Sequence, residues 1–99
     1  MNLTPTIETS ARRLFPHQSP EQAFAELLLE RAQKKLIQYQ AAIRLFQTKY
    51  GQDFEVFRKH VISTEPSLEV EQDYFDWELA MTGVADMRAE IVRLKNSGR

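Results

Sequence analysis

Val70, Tyr74, Trp77, Met81, Val84, Arg88, Ile91 and Lys95 recur at alternating steps of four and three residues, and all but two are apolar. That spacing is the seam of a long helix that packs lengthwise against another. A second stripe of helical period runs through Phe24, Leu28, Ala32, Leu36, Tyr39, Ala42, Ile43, Phe46 and Tyr50. Two such helices in a 99-residue chain leave room for little else. They predict an all-α fold: a long antiparallel helical hairpin with short accessory helices, completed into a bundle by dimerisation.

Local signals set the boundaries. Thr4-Pro5 reads as a cap followed by proline at the first helical position, and Ile7, Ala11 and Leu14 continue a helix over 5–14 that caps or crosses the long pair. Pro16 ends it. Ser19-Pro20-Glu21-Gln22 carries a cap, a first-turn proline and a capping box, opening a helix that runs to about residue 49, where Tyr50-Gly51 stops it. Asp53 caps a short helix over 53–62, with Phe54, Phe57 and Val61 on one face. After the loop 63–67, the last helix runs from about 67 to 95. The chain reads as one domain: 1–18 as short helix and loop, then helices over 19–50, 53–62 and 67–96.

A lone hairpin of two helices, each about 45 Å long, buries too little of its surface to be comfortable alone. The apolar surface of the first long helix is wider than one partner helix needs. Leu27, Ile37, Leu45, Met87 and Leu94 are therefore the expected dimer contacts. Phe75 and Leu79 point nearly opposite the Val70–Ile91 seam; either the N-terminal or the 53–62 helix covers them, or they lie at an interface. Arg88 stands within the seam, where a guanidinium must be paired or reach outward. It pairs with a carboxylate of the same fold or lies near the open end of the bundle; in the sharper alternative it specifies register or meets an acidic group on a partner. Gly83, inside the same helix, costs about 1 kcal/mol relative to alanine and points to a close helix approach or a slight kink.

Chemistry-bearing patterns are sparse. Six acidic residues and no basic one lie between Glu65 and Glu78, with Glu69, Asp73 and Asp76 on one helical face. Acidic residues favour a helix N-terminus and solvate its outer side; the acidic 65–78 segment, with Glu69, Asp73, Asp76, Phe75 and Leu79, is the first candidate surface for a basic partner. A divalent cation held by these carboxylates, as in a nucleotide pyrophosphohydrolase-like bundle, would need acidic ligands from the facing helix. Glu26 and Glu30 have the spacing, yet antiparallel pairing puts them at the far end of the hairpin. His17 and His60 have no ligand spacing, and there is no cysteine and no glycine-rich phosphate loop. No catalytic residue, metal or cofactor is assigned.

Thirteen basic and fourteen acidic residues give a net charge of −1, which argues against nucleic acid as a partner. A DNA-binding regulator would have to rely on Arg58, Lys59 and the diluted basic C-terminal end. No apolar run is long enough for a membrane span, and the first residues lack the basic-then-apolar pattern of a signal peptide. A reducing cytoplasm is the plain expectation for a cysteine-free chain.

Pro16-x-x-Ser19-Pro20-Glu21, Leu27-Leu28-Leu29-Glu30-Arg31, Lys49-Tyr50-Gly51, Phe54-Glu55-Val56-Phe57 and Asp73-Tyr74-Phe75-Asp76-Trp77-Glu78 follow one another over residues 16–78. In this order they resemble a group of short prokaryotic helical proteins encoded beside a toxin-like partner and treated as antitoxin-like. The resemblance implies a helical, non-enzymatic, cytoplasmic protein that binds a cognate protein. The binding surface varies in that group, so no functional residue is carried over. The helix past Trp77 is longer than the group's pattern, which favours self-association.

Overall fold

The computed structural model describes residues 3–97 and consists of four helices: α1 (Pro5–Leu14), α2 (Pro20–Tyr50), α3 (Phe54–Ser63) and α4 (Leu68–Ser97). No strand occurs among the described residues. Each start is fixed by a side chain that accepts an otherwise orphaned backbone N–H. Thr4 Oγ1 accepts from Ile7 at 3.3 Å, Asp53 Oδ1 from Val56 at 3.1 Å and Ser67 Oγ from Val70 at 3.2 Å. At α2 the capping box is complete: Ser19 Oγ accepts from the Gln22 N–H, and Gln22 Oε1 accepts from the Ser19 N–H. Gly51 ends α2 at φ 63°, ψ 29°, a left-handed conformation that glycine adopts without a side-chain penalty, and its N–H donates to the Gln47 carbonyl.

The two long helices pair antiparallel, and α3 folds back across the closed end of the hairpin. There Phe54, Phe57, Val61 and Trp77 are buried, with Ile43, Phe46, Tyr50, Val70 and Tyr74 packed around them. Trp77 is the hub. Its ring stacks 5.1 Å from Phe57 and 5.7 Å from Phe46, and meets Phe54 edge-on at 5.4 Å. The indole N–H is buried without a hydrogen-bond partner, so the Trp77 ring is held by packing. At the open end α1 lies against α2 and buries no residue of its own.

The seam differs in phase from the one read in the sequence. Val70, Trp77, Val84 and Ile91 do face inward, but the alternating positions are Asp73, Ala80, Met87 and Leu94, each one residue before Tyr74, Met81, Arg88 and Lys95. The two sets have the same four-three rhythm and flank the same stripe. The one with smaller residues wins because it lets the helices approach closely. Gly83 marks the contact: a Cβ built on it would lie 2.6 Å from the Tyr39 ring. Arg88 is exposed, which removes it from the seam and from a register role inside the hairpin. On α2 the half-buried or buried series is Ala25, Leu29, Ala32, Leu36, Tyr39, Ile43, Phe46 and Tyr50, while Phe24 and Leu28 are exposed. The N-terminal half of that stripe is therefore one residue later than its bulkiest side chains suggested.

The result is long and thin, 57 × 25 × 21 Å, with a radius of gyration of 19.3 Å. A compact chain of this length would have about 13 Å.

Candidate functional site

The acidic face of α4 is partly neutralised within the chain. Lys49, in the last turn of α2, donates to Glu69 at 3.0 Å and to Asp73 at 2.6 Å. The Tyr50 hydroxyl donates to the same Asp73 oxygen at 2.5 Å. These bonds stabilise the carboxylate and hold the Asp73 pKa below its ordinary value, Lys49 contributing most and Tyr50 next. The partners shift reciprocally. Lys49 is pushed up chiefly by its hydrogen bond to Asp73, and Tyr50 is pushed up first by burial and then by that carboxylate. Asp73 is thus the polar member of the inward seam, a clasp that joins the ends of α2 and α4. Asp76 accepts from Gln72 and Glu78 from the Tyr74 hydroxyl. Of the expected partner surface, Glu69 and Asp73 are engaged by Lys49, and Asp76 is met only by its own helix. Among the described residues no group of histidine and acidic side chains is placed to hold a metal ion.

The apolar candidates separate into two sets. Leu27, Ile37 and Leu45 are exposed, Ile37 at 62% and Leu45 at 67%, and are free to meet another chain. Met87 and Leu94 are half-buried on the seam of the hairpin. Of the two placements expected for Phe75 and Leu79, the structure excludes cover by α1 or α3: they stand 52% and 64% exposed on the outer side of α4. The reason is geometric. α3 is only ten residues long and sits over Val70, Tyr74 and Trp77, and α1 stays at the other end of the molecule.

Two concave features at the open end lie between helices. One is an apolar groove between α1 and α2, lined by Leu3, Ile7, Leu14, Phe15, Phe24 and Leu27 among others. The second is a shallow polar recess beside His17, Gln18 and Glu26 that extends to Leu94 and Lys95. Gln18 spans part of it by donating to Glu26 at 2.7 Å. Neither brings together a nucleophile, a base and a charge-stabilising donor. No helix among the described residues is long and apolar enough to cross a membrane.

No protein-family model, curated protein or solved structure matches the chain.

Sequence reasoning missed Lys49 as the partner of the acidic run and Tyr39 as the neighbour of Gly83. The signal for both was present. In an antiparallel hairpin closed at residues 50–68, Lys49 must sit opposite the first turns of α4, and a glycine in mid-helix must face something large.

Proposed function

We propose that this chain is a non-catalytic helical protein–protein interaction module that self-associates through its long helices. Exposed surface carries the reading. The chain exposes 7482 Å², whereas a compact monomer of its mass would expose about 5,800 Å². Among the described residues, fourteen large apolar ones are exposed, against seven apolar ones that are buried. A typical stable interface removes about 800 Å² from each partner, so the excess is on the scale of a real interface. The resemblance of residues 16–78 to antitoxin-like proteins adds a second layer to the proposal: the self-associated form binds a cognate protein encoded beside it.

Light scattering across a concentration series tests the first layer, with a dimer mass retained on dilution as the expected result. A monomer at every concentration refutes self-association. Co-expression with the product of an adjacent gene tests the second, and the expected result is a stoichiometric complex that survives gel filtration.

A further inference from the structure

Tyr74, Met81, Arg88 and Lys95 keep their heptad spacing although they are not the inward seam of the hairpin. On the same outer flank of α4, Glu71, Glu78, Ala85 and Val92 fall between them, again at steps of three and four. This makes a second, complete heptad stripe, rotated from the first. α3 covers only its Tyr74 end, where Phe54 and Phe57 lie 5.6 and 6.4 Å from the Tyr74 ring. Met81 and Val92 stand 43% and 59% exposed.

The stripe is self-complementary. When two copies of α4 are laid antiparallel with their midpoints at Gly83, Glu71 meets the second copy's Lys95 and Glu78 meets its Arg88. Between these layers Met81 meets Ala85, and Val92 meets the part of Tyr74 that α3 leaves uncovered. Charged layers are separated by apolar ones, with two Met81–Ala85 layers side by side at the centre, and every charged layer joins opposite signs. Glu71, Glu78, Arg88 and Lys95 are exposed, and among the described residues none of the four forms an ion pair within the chain. A parallel arrangement would instead set Glu78 beside Glu78 and Arg88 beside Arg88. With a net charge of −1, two copies meet little overall repulsion.

We propose that a second copy of this chain docks on this flank, α4 against α4 in antiparallel orientation, about a twofold axis level with Gly83 along the helix and on the side of α4 away from α2. The contact is isologous, so each Glu–Arg and Glu–Lys pair occurs twice. The apolar layers supply attraction, while the Glu78–Arg88 layers fix register and direction. This places the interface on α4 and not on Leu27, Ile37 or Leu45 of α2. It rests on the self-association reading above.

Two charge reversals test it. In Glu78→Arg the introduced guanidinium of one copy faces Arg88 of the other, and in Arg88→Glu the introduced carboxylate faces Glu78. Each variant alone therefore loses dimerisation by roughly tenfold or more. Mixed one to one, the two variants restore complementary layers and form a heterodimer. Sedimentation equilibrium at low salt reads the masses, and circular dichroism checks that each variant remains helical, as expected for exposed positions. If the wild type is a dimer and both single variants stay dimeric, or the mixture fails to reassociate, the α4 flank is not the interface, although self-association stands. A monomeric wild type overturns both. A wild-type monomer that associates only with a cognate protein likewise overturns the twofold contact.

Discussion

Replacing Gly83 by alanine is the sharpest probe of how closely α2 and α4 approach. Two effects oppose each other. Alanine is favoured over glycine in a helix interior by about 1 kcal/mol. The new Cβ would lie 2.6–2.7 Å from three atoms of the Tyr39 ring, whereas carbon atoms pack best at about 3.5–4.0 Å. The ring must retreat by about 1 Å from a position that is already half-buried, and overpacking of that kind costs about 1–3 kcal/mol. Taking about 2 kcal/mol for the clash leaves a net loss of about 1 kcal/mol, or a Tm lower by about 4–8 °C. Removing the ring reverses the sign: in a Tyr39→Ala background, Gly83→Ala should stabilise by about 1 kcal/mol. The two backgrounds therefore differ by about 2 kcal/mol, a coupling well above the error of additivity for independent sites. Thermal melts at one fixed protein concentration measure it, since association would otherwise move Tm. Trp77, the only tryptophan, reports the transition by fluorescence from a fully buried position. Stabilisation by Gly83→Ala in the wild-type background, or the same effect in both, would refute the close approach.

Other expectations follow from single contacts. Ser19→Ala removes half of the capping box and should lower stability by about 1 kcal/mol in denaturant melts, while Ser19→Gly costs only a few tenths. Trp77→Ala empties the hub of the aromatic cluster and should cost about 3–5 kcal/mol, leaving little cooperative unfolding at physiological temperature. The Asp73 clasp makes stability depend on pH. Its folded-state pKa is depressed, so its contribution is complete above the ordinary carboxylate range and is lost as pH falls through the folded value. The difference in stability between the wild type and Asp73→Ala should thus be largest near neutrality and shrink in acid melts. At the other extreme, Tyr50 and Lys49 are both raised, so stability is complete below about pH 10 and falls as pH rises beyond it. An alkaline loss of the same size in Tyr50→Phe as in the wild type would remove Tyr50 from that account.

The fold lies close to the surface of the sequence because its boundaries are local. Ser19, Pro20 and Gln22 satisfy N–H groups only three residues away, and Gly51 takes a conformation that few other residues tolerate. These choices depend on no distant contact, so the helix ends are legible within a residue or two. The aromatic face of α3 was legible for the same reason. Phe54, Phe57 and Val61 follow a cap at helical spacing, and a ten-residue helix has only one face to bury. The same local logic named the hairpin and its antiparallel sense, since a short α3 segment cannot bridge the ends of two parallel helices of this length.

What the sequence could not decide was the rotation of each long helix about its own axis. Val70, Trp77, Val84 and Ile91 belong to two heptad stripes at once, one continued by Tyr74, Met81 and Arg88 and the other by Asp73, Ala80 and Met87. Residue by residue the first is the more hydrophobic at Tyr74 and Met81, and periodicity alone favours it. Tertiary structure selected the second. The gain depends on what stands opposite: Tyr39 fills the space over Gly83, and Lys49 and Tyr50 satisfy Asp73. A small residue or a carboxylate is favourable on a seam only when a particular partner meets it, and that partner is fixed by the register of two helices distant in sequence. The sequence by itself therefore determined the helices, their ends and their pairing, and only the packed hairpin decided which face of α4 was closed and which was left exposed.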